Sequence, residues 1–351
     1  MKYHFHRFNQ EKPFSGECRW SKLNRVMFEM KQMIRIYLRP LIALILISVG
    51  MVRADLDTLG VISIPVLGSS DNHVAIPFYR SVVFNGQIES ISGNVLTVSG
   101  EPEWTSGRFE FGSESNPDVH TTYFVLFASG TKEGLKGTIL SSGSNTLSLD
   151  LAAVDLSGIA SDAVEGAAMG DYFQIVAYWT PASLFEASAL PDRLKLNLYD
   201  NTAVGYNKSP TIYTYFDGYG WVDGSFQLVD HEPMDILDGF VIRTPEGSSD
   251  FTCYVSGAVP MTRARKDMET DASGVPNDYR IGIQSPLPTT LAEAGLGLVD
   301  LMKISVFDNG ERTYNKSPYI YTYFEGYGWY DGSFNLVDEE TLDAWESLII
   351  R

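Results

Sequence analysis

From Thr211 to Phe216 the chain reads TIYTYF, and strand alternation puts Ile212, Thr214 and Phe216 on one face and Tyr213 and Tyr215 on the other. Asp217-Gly218 supplies the residues of a two-residue type I′ turn, whose central positions both need φ above zero. That turn predicts a register with Phe216 opposite Tyr219, Tyr215 opposite Gly220, Thr214 opposite Trp221 and Tyr213 opposite Val222. Trp221 then joins the Ile212/Phe216 face as a core anchor, and the tyrosines form a stripe on the other face. The chain says this twice. Tyr206 to Asp230 matches Tyr314 to Asp338 at 21 of 25 positions with a constant offset of 108, which marks a duplicated structural unit. In the second copy Glu325-Gly326 takes the turn, Trp329 is the anchor, Tyr321 and Tyr323 carry the stripe, and Tyr330 falls opposite Tyr321.

The same offset aligns Trp179–Asn201 with Leu287–Asn309, and Asp235–Arg243 with Asp343–Arg351. Each copy therefore reads as a short helix or turn near 182–189 or 289–294, a strand at 194–199 or 302–307, the hairpin, and a final strand ending in arginine. Two copies fall short of a solenoid, which needs about three or more stacked units. A pair of β subdomains, or two halves sharing a core, fits better.

Upstream, GQIESISGNVLTVSG (Gly86 to Gly100) and GTILSSGSNTLSLDL (Gly137 to Leu151) are alternating runs about a Gly/Ser/Asn turn. VISIPV, HVAIPFY and TTYFVLFAS add strands, with Pro65 and Pro77 suited to edges or strand ends. The expectation is an all-β protein: a β-sandwich or small-barrel N-terminal domain over 55–170, a first repeat unit over 171–245, a connecting segment over 246–279 and a second repeat unit over 280–351.

The first 54 residues differ in kind. A basic stretch with Lys31, Arg35 and Arg39 leads into the apolar run Leu41 to Val52, and Val52-x-Ala54 fits the small-residue boundary of a secretory signal peptide. The 12-residue run is short of the roughly 20 apolar residues of a membrane span, and an uncleaved leader is the one membrane attachment the sequence allows. The leader holds ten of the 26 basic and three of the 44 acidic residues, so residues 55–351 carry a net charge of −25. A chain this acidic has no general attraction to phosphate backbones, which argues against nucleic-acid binding.

Motifs that carry chemistry are sparse. Ser129-Gly-Thr-Lys132 fits S-x-x-K but has no S-D-N or K-T-G partner, and the three histidines beyond the leader lack zinc-ligand spacing. No cofactor or metal is indicated. Cys253 reads as a small buried core residue. Asp230, Glu232, Asp235 and Asp238 cluster in one loop and Asp338, Glu339, Glu340 and Asp343 in its duplicate; these read first as solvated acidic loops, next as loop calcium sites and last as a glycosidase pair. Arg263, Arg265 and Lys266 make one basic turn. Asn207 and Asn315 precede Lys-Ser-Pro, and turn chemistry accounts for them.

Taken in order, IPFYRSVVFNGQIESISGNVLTVSG, TTYFVLFASGTKEGLKGTILSSGSNTLSLDL, GDYFQIVAYWTPASLF, the LYDN…NKSP…YTYFDGYGW succession and DGFVIR resemble an uncharacterised family of secreted β-rich proteins from verrucomicrobial bacteria. The resemblance covers nearly all of 61–351. It implies export and carries over no activity or site residue. Two functions are therefore expected to compete. One is an exported, non-catalytic structural or interaction protein of the cell envelope or surface. The other is a carbohydrate-binding module whose stripe (Tyr213, Tyr215, Tyr321, Tyr323 and Tyr330) stacks on a polysaccharide, with a secreted glycan hydrolase as the weakest reading. Burial of the stripe decides between the first two.

Overall fold

The computed structural model describes residues 58–150, 170–185, 189–236, 238–261 and 277–351. The leader with its boundary at Ala54, and the basic turn at 263–266, lie outside the described residues. The protein is all-β. Strands β1 (Leu59–Val66) and β2 (Asp71–Val74) precede β3 (Val82–Ser92), β4 (Val95–Val98), β5 (Tyr123–Phe127), β6 (Lys136–Ser142), β7 (Thr146–Asp150) and β8 (Tyr172–Ala177). The last six close into a barrel in the order β3-β4-β7-β6-β5-β8. Its lumen is filled by the alternate residues of the two glycine-turned hairpins, with Ile88, Leu96, Leu147 and Leu149 fully buried.

After the barrel, Thr180 caps the short helix α1 (Pro181–Leu184) in reciprocal hydrogen bonds with Ser183, with proline at its first turn. There follow β9 (Lys195–Leu198), β10 (Thr211–Phe216), β11 (Gly220–Val222), β12 (Phe240–Arg243), β13 (Phe251–Ala258), β14 (Tyr279–Gly282), β15 (Thr289–Thr290), β16 (Lys303–Val306), β17 (Tyr319–Phe324), β18 (Gly328–Tyr330), β19 (Thr341–Leu342) and β20 (Ser347–Ile350). Near 289–294, where a short helix or turn is expected, the two-residue β15 pairs with β19 and leads into a turn over 291–294.

Two five-stranded sheets have the same order, β11-β10-β9-β12-β2 and β18-β17-β16-β20-β14. The edge strand of the first copy is thus β2, the equivalent of β14. Asp71 pairs with Arg243 as Asp278 pairs with Arg351, so at this strand the offset between copies is 207 rather than 108. The barrel lies between β2 and β9, inserted into the first copy alone. The N-terminal unit expected over 55–170 therefore divides differently: β1 pairs with β13 of the connecting segment, β2 pairs with β12 of the first repeat, and the barrel spans β3 to β8.

Contacts between the copies are reciprocal. The Val74–Glu346 bridge is matched by Ile281–Asp238. Asn309 brackets the backbone of His73, accepting its N–H at 2.8 Å and donating to its carbonyl at 3.0 Å, and Asn201 does the same to Arg280 at 2.8 and 2.8 Å. The backbone N–H of Asn315 donates to Asp71 and that of Asn207 to Asp278, both at 2.8 Å. Asn207 and Asn315 adopt φ of 50° and 51°, the left-handed turn that asparagine tolerates best after glycine. Residue i touching j while j′ touches i′ is the mark of a two-fold interface. The chain is a pseudo-dimer of its own halves.

Candidate binding surface

Each hairpin closes with three loop residues, not two. Phe216 pairs with Gly220, Tyr215 with Trp221 and Thr214 with Val222, and the second copy repeats this with Tyr323 opposite Trp329 and Tyr330 opposite Thr322. Asp217 is not at positive φ, whereas Gly218 is (72°), so Phe216–Tyr219 is a type II turn closed by a 3.0 Å hydrogen bond. Gly220 follows at φ 111°. A Cβ there would stand 2.7 Å from the Asp230 carboxylate, which accepts the Trp221 N–H at 2.8 Å. Gly328, Asp338 and Trp329 repeat the brace, Trp329 N–H to Asp338 at 2.7 Å.

The one-residue slip exchanges the faces. Trp221 and Trp329 are buried as expected, but on the tyrosine side: Trp221 packs 5.5 Å from Tyr215 and Trp329 5.4 Å from Tyr323. Tyr213 and Tyr215 pack half-buried against the first copy's core, and Tyr321, 8% exposed, belongs to the second. Tyr330 is half-buried and meets Phe324 edge-on at 5.6 Å. Of the stripe, Tyr321 is buried, and Tyr213, Tyr215, Tyr323 and Tyr330 are half-buried. The acidic loops are likewise structural in part. Asp230 and Asp338 brace the tryptophans, Asp235 pairs with Lys136 of the barrel, and Asp238 accepts from Asn201.

What faces outward is the other side. Ile212 and Ile320 are exposed, and the loop after each hairpin adds a phenylalanine: Phe226 stacks on Phe216 at 5.9 Å and Phe334 on Phe324 at 6.3 Å. Phe226 and Phe334 are 68% and 75% exposed and sit at φ of 60° and 62°. A bulky residue in the left-handed region is a true outlier. The loop that holds it is DGSF(Q/N)L. The Asp223 carboxylate accepts the N–H groups of Ser225 and Gln227, both at 2.8 Å, and Asp331 accepts those of Ser333 and Asn335 at the same lengths. Tyr219 and Tyr327 at the turns, and Leu228 and Leu336 after the loops, are also exposed. Sequence reading passed over this set because alternation in a slipped register assigned Ile212 and Phe216 to the core.

A second region differs between copies. Asp308, Glu340, Asp343 and Glu346 line a cleft of about 660 Å³ with Tyr321 and Trp345. Burial lifts the Glu346 carboxyl to about 7, and Asp343 and Asp308 push the same way. In the first copy the residue equivalent to Asp343 is Asp235, whose charge meets buried Lys136 of the barrel. The second copy has no inserted barrel and its cleft stays open.

Comparison with protein-family models, with curated proteins and with solved structures returned no match.

Proposed function

We propose that this chain is an exported, non-catalytic interaction protein of the cell envelope or surface, which holds its partner through the two outward aromatic hairpins. The reading rests on Phe226 and Phe334: the same ring, exposed in the same strained backbone, is held by the same aspartate-centred loop in both copies. Holding a bulky side chain at positive φ costs about 1–3 kcal/mol, and rings this exposed recover only part of it by stacking on Phe216 and Phe324. Residues held in such strain cluster at functional sites. Two equivalent weak sites on one rigid body raise avidity toward a repeating partner through effective concentration. Export is argued from the leader, and the acidic surface disfavours nucleic acid as the partner.

The test couples stability to binding. Phe226→Gly and Phe334→Gly should each raise unfolding stability by about 1 kcal/mol by relieving the left-handed strain. In co-sedimentation of the full chain with isolated cell-envelope material and with insoluble polysaccharides, each variant should bind more weakly than wild type and the double variant at least tenfold more weakly. Equal binding by all four proteins would reject the hairpins as the contact, and turnover of a glycan would reject the non-catalytic reading.

A further inference from the structure

The two halves diverge most in chemistry where they meet. At the equivalent positions 73 and 280 stand His73 and Arg280, touching one another, Nη1 to Nδ1 at 2.8 Å. His73 stacks on Phe307 with ring centroids 3.7 Å apart and planes 5° from parallel, and Lys316, the equivalent of Lys208, is buried on this side. Arg280 lies over Tyr199, the equivalent of Phe307, at 4.3 Å. The arginine's side is open. A pocket of about 220 Å³ opens there, lined by Tyr199, Asn201, Asn207, Lys208, Asp278 and Arg280.

Arg280 is only 7% exposed, its Nε has no hydrogen-bond partner, and it makes no ion pair among the described residues. The Asp278 carboxylate is already held by Arg351 through contacts of 2.7 and 3.0 Å and by the backbone N–H of Asn207. Lys208 contributes a second cation, its Nζ 5.1 Å from the ring centroid of Tyr279. A buried guanidinium without a counter-ion is costly, and a buried donor left unpaired adds to that cost. The surrounding groups are rigidly placed: Asn201 is fixed by Asp238 and by the backbone of Arg280, and Asn207 accepts from Arg351. A pre-formed, cation-rich, monosaccharide-sized pocket on an otherwise acidic protein selects for an anion.

We infer that the pocket at the seam between the halves binds a small oxyanionic group, a carboxylate or a phosphate, with Arg280 and Lys208 as its charge partners and the Tyr199 ring as one wall. The site is separate from the outward hairpins and survives their failure as a binding surface.

The experiment is a thermal-shift and calorimetric titration of the full chain at constant ionic strength in chloride. The probes are sodium glucuronate, inorganic phosphate and neutral glucose. Saturable binding of glucuronate or phosphate, with a rise in Tm that glucose does not produce, is expected. Glucuronate alone would identify a sugar carboxylate, and phosphate alone a phosphoryl group. Lys208→Gln should weaken the binding at least tenfold, and Arg280→Gln should abolish it. If Arg280→Gln fails to fold, Lys208→Gln and Tyr199→Leu, each with wild-type Tm in chloride, carry the decision. No anion-specific rise in wild-type Tm, or the same affinity in Lys208→Gln as in wild type, would overturn the proposal.

Discussion

His73 and Glu346 are tied to one side chain, Asn309, and their titrations oppose one another. Burial, reinforced by the neighbouring Arg280, lowers the His73 imidazole from 6.5 to about 2, and burial raises Glu346 from 4.5 to about 7. Below pH 6.5 the unfolded chain takes up a proton on His73 that the folded chain refuses, so this contribution to stability falls as pH drops from 6.5 toward 2. Between pH 7 and 4.5 the folded chain keeps a proton on Glu346 that the unfolded chain releases, so this contribution rises as pH falls through that window. Each changes by up to about 1.4 kcal/mol per pH unit, and the two offset one another where the windows overlap. Glu346→Gln should therefore steepen the loss of stability between about pH 6.5 and 4.5, and His73→Gln should flatten or reverse it. Urea denaturation at three pH values reads both slopes. Parallel curves for wild type and Glu346→Gln would show that the carboxyl titrates normally.

At the scale of the element, the hairpin shows how much the sequence disclosed and where it stopped. Strand positions, the duplication and the burial of both tryptophans were legible, because alternation and repetition are local signals. The face was not. Asp-Gly fits both a type I′ and a type II turn, and the choice rests on Gly220, whose missing Cβ admits the Asp230 carboxylate from ten residues downstream. That tertiary contact adds one residue to the loop and carries Trp221 to the tyrosine side. The place of β2 in the repeat escaped notice for a related reason: the inserted barrel moves its offset to 207, while Asp71 and Asp278 remain the only identical residues in the four-residue edge strand and its flank, 71–74 against 278–281. Trp221→Ala and Trp329→Ala should each cost about 3–5 kcal/mol, since both side chains are fully buried. Chemical denaturation measures it, and a loss below about 1 kcal/mol would mean that the observed register is wrong.

For the whole molecule the governing fact is reciprocity. Asp71, in the first half, binds Arg243 and the Asn315 loop of the second, and Asp278 binds Arg351 and the Asn207 loop of the first. Asp71→Ala and Asp278→Ala should cost about the same, roughly 2 kcal/mol each, because each leaves one partly exposed arginine and one backbone donor without a partner. Both should shift a single unfolding transition seen by calorimetry. Two separated transitions would show halves that unfold independently.

The insertion of the barrel has a consequence of its own. β3 and β8 are hydrogen-bonded neighbours, with Val82 paired to Val176, so the chain departs from the repeat and rejoins it at adjacent points. In the second half the corresponding stretch runs from Gly282 to Thr289 with no domain between, and the sheet forms all the same. The fold thus contains one occupied socket and one vacant socket of the same design. A foreign domain whose termini lie side by side is the natural graft for the stretch from Ser285 to Pro288, and a basic residue on its inner strand would meet Asp343 as Lys136 meets Asp235.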